Sequence, residues 1–174
     1  MFFETFLVVA LVAVADIAMG HFWFAPYYSI GLPLLYRVIR VSDRPSTPPT
    51  ADCLRSAFQS LDRNVSIAPL GDGVFAFRED SGRETSPRYT QLLHGSLAFN
   101  AKEGTLTVTG LVNYFPVAFC AAIAAQAWAG DHLWTAALPA VVMGPIYLLQ
   151  RSVYTDVAEA AARAWHATAN VPAA

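Results

Sequence analysis

Two long apolar stretches constrain this chain more than any motif in it. Phe2 to Phe24 is broken by charge only at Glu4 and Asp16, and Leu111 to Leu149 carries Asp131 as its single charge, beside His132. A bilayer core about 30 Å thick is crossed by roughly 20 apolar residues of helix. The first stretch predicts one span, Phe3 to Phe24. The second predicts two, Val112 to Ala129 and Leu133 to Gln150, folded back at Gly130-Asp131-His132. The N-terminus has no positive region before its apolar run and ends it in Gly20-His21-Phe22-Trp23 rather than a small-x-small cleavage site, so an uncleaved anchor is expected.

The charge is concentrated between the stretches. Asp43 to Gly110 holds eight acids and seven bases, a balance that provides no basic field for nucleic acid. Within 174 residues that are 55% hydrophobic, this segment is where a polar domain fits. Ala51 to Arg63 carries Leu54, Ala57, Phe58 and Leu61 at helical spacing, with Thr50 as N-cap. Four strand-like pieces follow: Val65–Leu70, Val74–Arg78, Leu92–Asn100 and Thr105–Leu111. They are separated by Gly71-Asp72-Gly73, Asp80-Ser81-Gly82 and Ala101-Lys102-Glu103-Gly104.

The fold expected from these patterns is an integral membrane α-helical protein with three transmembrane helices, an N-terminal anchor plus a C-terminal helical hairpin. A small α+β domain, one helix on a four-stranded antiparallel meander, is inserted between them. The segments are 1–42, anchor and juxtamembrane stretch; 43–110, cytoplasmic α+β domain; 111–151, hairpin; and 152–174, amphipathic helix and tail. Pro26, Gly31 and Pro33 interrupt Tyr27 to Val41, which reads as a stretch lying along the membrane surface with Tyr27, Tyr28 and Tyr36 at headgroup depth. Arg37, Arg40, Arg44, Lys102 and Arg151 flank the apolar stretches on one side, against Glu4, Asp131 and His132 on the other. That asymmetry places the N-terminus outside and the polar domain and C-terminus inside a bacterial inner membrane.

Few residues point to chemistry. Asp16 is an acid in the middle of the first span, where it serves either as a hydrogen-bonding contact to a neighbouring helix or as a proton or ion site. Ala118, Ala122 and Gln126, then Ala121, Ala125 and Ala129, and then Ala136, Ala140 and Gly144 form rows of small residues that let helix backbones approach. His21 and His132, at span ends, are candidate haem or pigment ligands or ordinary interfacial histidines. No histidine pairs with another ligand at a zinc or haem spacing, and His94 reads as a polar sheet residue. Cys53 and Cys120 are too far apart in character to suggest a disulfide framework. No phosphate loop, dinucleotide fingerprint, CxxC or HExxH occurs.

No catalytic, cofactor or metal residue is therefore assigned. The expected partners are other integral membrane subunits and the lipid bilayer, with no nucleic acid. The function that fits is a non-catalytic accessory or scaffolding subunit of a larger membrane complex. A membrane-tethered sensor or ligand-binding module is the alternative, and a small membrane enzyme or carrier a third. In build, though in no motif, the chain resembles the small auxiliary subunits of bacterial respiratory or photosynthetic reaction-centre–antenna assemblies.

Overall fold

The computed structural model describes residues 2–41, 47–61, 65–79, 94–129 and 138–169. In chain order these form α1 (Phe2–His21), α2 (Ala25–Ser29), β1 (Pro33–Arg40), α3 (Ala51–Gln59), β2 (Val65–Gly71), β3 (Val74–Glu79), β4 (His94–Asn100), β5 (Thr105–Leu111), α4 (Tyr114–Ala129) and α5 (Leu138–Ala169). The strands make one antiparallel sheet in the order β1-β5-β4-β3-β2.

Local chemistry accounts for the middle of the sheet. Leu106 and Val108 of β5 are buried, while Thr105, Thr107 and Thr109 face the other way. This is the alternation of a strand with one covered face. The β2–β3 hairpin turns at Asp72 and Gly73, and Gly73 holds φ 70, which glycine adopts without a Cβ clash. The covered face carries Val65, Ile67, Phe75, Phe77, Leu97 and Phe99, packed under α3 and the C-terminal half of α5. Thr50 caps α3, its hydroxyl accepting the Cys53 N–H at 3.3 Å. From α5, Val153, Tyr154, Val157, Ala158, Ala161, Ala164 and Trp165 form one buried stripe.

Three features of the expected fold are overturned. The sheet has five strands, not four, because Pro33–Arg40 leaves the membrane-surface role and pairs with β5. Its alternation of Arg37 and Ile39 with Tyr36, Val38 and Arg40 has strand period. Pro33 is tolerated because it begins an edge strand. Secondly, the sheet is covered by two helices, α3 and α5, rather than one.

Thirdly, the three-span architecture gives way to an α+β fold in which, among the described residues, only α1 is long and apolar enough to cross a membrane. The apolar run of α4, Tyr114–Trp128, reaches about 22 Å, short of a hydrocarbon core of about 30 Å. The third expected span is not a separate element. Leu138–Ala169 is one continuous helix of 32 residues that passes Gln150-Arg151 without a break. Between Pro145 and Ala169 no glycine or proline occurs to end it, so the change of polarity at Arg151 marks a change of surroundings, not a terminus. The expected turn at Gly130-Asp131-His132 lies outside the described residues.

Helix-to-sheet contact depends on a slot made by two glycines. Gly95 and Gly110 are paired across β4 and β5, and Phe77 lies opposite Gly95 on β3. A Cβ on Gly110 would sit 2.6 Å from the Tyr154 ring, and one on Gly95 would sit 2.8 Å from Phe77. Tyr154 and Phe77 meet edge to face across this slot, their centroids 6.0 Å apart. Overpacking such a site costs about 1–3 kcal/mol. Gly110→Ala is therefore expected to lower the thermal unfolding midpoint measured in mild detergent. Gly71→Ala, whose Cβ meets nothing within 4 Å, should leave it nearly unchanged.

Candidate functional site: a buried polar junction between helices and sheet

The largest concentration of buried polar groups lies where α1 and α4 meet the end of the sheet. Along α1, Thr5, Val9, Val12, Asp16 and Met19, spaced alternately by four and three, are less exposed than Phe6, Leu7, Val8, Leu11, Val14 and Ile17. This stripe faces α4, and the two helices run antiparallel, since the end of α1 and the start of α4 both adjoin the sheet. Asp16 is 6% exposed. Its two carboxylate oxygens accept the Tyr114 N–H at 3.4 Å and the Phe115 N–H at 3.2 Å.

These N–H groups belong to the first turn of α4, where a helix has no internal acceptors and carries a partial positive charge. Pro116 follows and has no N–H to satisfy. Asp16 thus caps a helix to which it is distant in sequence.

The C-terminal end of α1 is tied down by side chains. The Gly20 carbonyl accepts from the Tyr28 hydroxyl at 2.8 Å and from the Arg78 guanidinium of β3. A cation there also complements the helix dipole. Trp23 has φ 53, an uncommon conformation for a residue with a Cβ. That conformation turns its indole against the protein, where Arg78 sits 4.4 Å over the ring and Tyr28 stacks at 5.4 Å.

His94, at the start of β4, is 3% exposed. Tyr27 stacks on its imidazole at 4.2 Å, the planes 11° apart, and Tyr28 approaches edge-on at 5.7 Å. The Tyr27 hydroxyl donates to Asn113 at 3.5 Å. The Tyr154 hydroxyl accepts the His94 N–H at 3.3 Å and faces the carbonyls of Leu111 at 2.8 Å and His94 at 3.0 Å, to either of which it donates. Among the described residues the Nδ1 of His94 is the one buried side-chain nitrogen or oxygen without a hydrogen-bond partner.

Burial pushes the His94 imidazole down to about 4, against weaker upward pulls from Asn113, Asp16 and Tyr27. Burial also raises the phenols of Tyr27, Tyr28 and Tyr154, and for Tyr27 the Asp16 charge adds to it. The imidazole and the phenols are all neutral at pH 7. What the arrangement does chemically is satisfy helix ends and strand carbonyls in a water-poor place. Among the described residues no group of three or more His, Cys, Asp or Glu is arranged to hold a metal ion.

The residues singled out from the sequence are scattered in space. Asp16 joins the junction, and its hydrogen-bond partners lie within its own chain. Ala118 and Ala122 are half-buried on α4, and Ala125 is exposed. Gly144 is exposed on α5 with open space where a Cβ would be. Ala136 and the side chain of Ala140 lie outside the described residues, as does His132. His21 is exposed at the end of α1, edge-on to Phe22. Tyr27 and Tyr28, expected at headgroup depth, are 4% and 0% exposed. The sequence reading missed Arg78, Asn113, Tyr114 and Tyr154, and the one available signal was the density of tyrosines on both sides of the apolar stretches. Comparison with protein-family models, with curated proteins and with solved structures returns no match.

Two outcomes follow from the junction. Removing the Asp16 cap is expected to cost about 1–2 kcal/mol, with Asp16→Asn milder than Asp16→Leu because one oxygen still accepts. Unfolding followed by circular dichroism measures the difference. For His94 the folded state disfavours the proton, so its contribution is complete above the ordinary value of 6.5 and is lost as pH falls toward 4. The loss reaches about 3 kcal/mol at most. His94→Phe retains the stacking and should flatten this part of the stability–pH curve.

Proposed function

We propose that the protein is a non-catalytic accessory subunit of a larger membrane complex, anchored by α1 and holding its sheet close to the bilayer. One observation supports this above the others. α1 and α4 contact each other along one side and turn much of their apolar surface outward, including Phe6, Leu11, Val14, Phe119 and Trp128. Meanwhile the polar groups at their junction with the sheet are engaged in fastening helix to sheet rather than lining an open site. An exposed apolar surface of this extent belongs in lipid or against a partner.

α1 is also built into the fold. Asp16 and Gly20 bond to α4, α2 and β3, an arrangement suited to a retained anchor rather than a removable leader. Arg37 and Arg40 follow α1, and basic residues beside a span favour the cytoplasmic side for the sheet. The outward face of α4, with Ala121, Ala124 and Ala125 exposed, allows close approach of a partner helix.

A tethered recognition module is the second reading, favoured by the sheet face that α3 and α5 leave uncovered. That face presents Ser66, Ala68, Ser96, Ala98, Thr105, Thr107 and Thr109, with no acidic side chain among them.

The two readings separate on native electrophoresis of mild-detergent extracts from the native membrane. The subunit reading expects co-migration with larger partners, reduced severalfold by Ala125→Leu with membrane insertion intact. Migration of the wild-type chain alone overturns it. If the complex forms and Thr107→Arg disrupts it while Ala125→Leu does not, the sheet face is the contact.

A further inference from the structure

The segment joining α1 to the sheet has an unusual composition for an exposed loop. From His21 to Tyr36 there is no Asp, Glu, Lys or Arg. Four large apolar residues in it point away from the protein: Phe22, 78% exposed; Phe24, 51%; Ile30, 66%; and Leu32, 60%. Their neighbours Trp23, Tyr27 and Tyr28 are turned inward onto Arg78 and His94, so the segment divides into a packed set and a projecting set.

The projecting set is held by backbone bonds at one level. The Phe22 N–H donates to the Ala18 carbonyl at 3.0 Å, and the Phe24 N–H to that of Met19 at 3.1 Å, so both stay against the last turn of α1. The Ile30 carbonyl accepts the Tyr114 hydroxyl at 2.7 Å. The Leu32 carbonyl accepts the Val112 N–H at 3.0 Å, just before α4 begins. Gly31 between them fits against Leu111 and Tyr114, where a Cβ would lie 3.6 Å from each. The four side chains therefore project at the level where α1 ends and α4 starts.

We propose that Phe22, Phe24, Ile30 and Leu32 form a lipid-seating collar, sunk at the boundary between headgroups and acyl chains, that fixes the height of the sheet above the membrane. This rests on the reading of α1 as the membrane anchor. The occupant is lipid because the collar continues the outward apolar surface of α1 without a charged residue between them. α1 is also about 30 Å long, so it uses up the hydrocarbon thickness just as the collar begins. Apolar and aromatic side chains on an uncharged loop at that depth match the interfacial region. β1 then carries the chain away, so Val38 lies about 20 Å beyond Leu32 along the strand, in water.

Depth-dependent fluorescence quenching tests the collar. In full-length chain with Cys53 and Cys120 replaced by alanine, single cysteines at Leu11→Cys, Ile30→Cys, Leu32→Cys and Val38→Cys carry an environment-sensitive fluorophore. The protein is reconstituted into phosphatidylcholine–phosphatidylglycerol vesicles whose acyl chains are brominated near either the headgroup or the methyl end. The collar requires position 11 to lose most of its signal to methyl-end bromine, and positions 30 and 32 to headgroup-end bromine. Position 38 should respond to aqueous iodide alone. If position 11 is quenched by lipid while 30 and 32 respond only to iodide, the collar is wrong and the anchor stands. Methyl-end quenching at 30 and 32 also overturns the collar, because it puts the loop inside the core. If position 11 is not quenched by lipid, the anchor and the collar fall together.

Discussion

The carboxylate of Asp16 sets the relation between the apolar helices and everything beyond them. Only Val112 and Asn113 separate β5 from α4, and the first N–H groups of α4 have no acceptor within the helix. A helix start of that kind needs an acceptor, and no residue of the intervening Val112-Asn113 is seen to supply it. Asp16 reaches across from α1 and accepts two of these groups at once. The same bonds offset the cost of a carboxylate in apolar surroundings, because the positive end of a helix dipole lies against it. An acid that is an oddity in a one-dimensional hydropathy profile is, in three dimensions, the cap that registers one helix against another.

The remaining ties follow a common pattern built on tyrosine. Tyr28 reaches the Gly20 carbonyl, Tyr114 the Ile30 carbonyl, and Tyr154 the strand groups at His94 and Leu111. In each case a rigid ring carries a hydroxyl to a main-chain group of another segment. Tyr154 is inserted furthest, because Gly95 and Gly110 leave a gap in the sheet for its ring. Such pins lose little side-chain entropy and hold their partners at fixed spacing. Motion of α1 relative to the sheet would have to break several of them together.

The polar groups of the junction are accordingly quiet. His94 is pressed between Tyr27 and Tyr28 and disfavours a proton, and the phenols are raised by burial. Catalytic groups are commonly tuned toward neutrality and opened to a cleft. Here the imidazole and phenols are shifted away from neutrality and closed in. Among the described residues the surfaces left open are of two other kinds: apolar helix and loop on one side, and on the free sheet face small polar residues beside Tyr36, Val38 and Arg40 of the edge strand.

Patterns that repeat over a few residues were legible in the sequence. The apolar run of α1, the stripe and Thr50 cap of α3, the threonine alternation of β5 and the Gly71-Asp72-Gly73 turn all express local periodicity or turn chemistry, which a chain displays before it folds. Tertiary structure alone decided the rest, since each remaining feature depends on a partner remote in the chain. β1 is a strand because β5 is there to pair with it, and Asp16 is a cap because α4 begins beside it. Tyr27 and Tyr28 are buried because His94 and Ala76 provide a surface for them. Leu138 to Ala169 remains one helix because no breaker lies between Pro145 and Ala169, and the sheet receives its second half. Hydropathy counts apolar residues without knowing what they face. It could identify a helix that suits a membrane, but not how many of the other apolar segments would find their cover in protein.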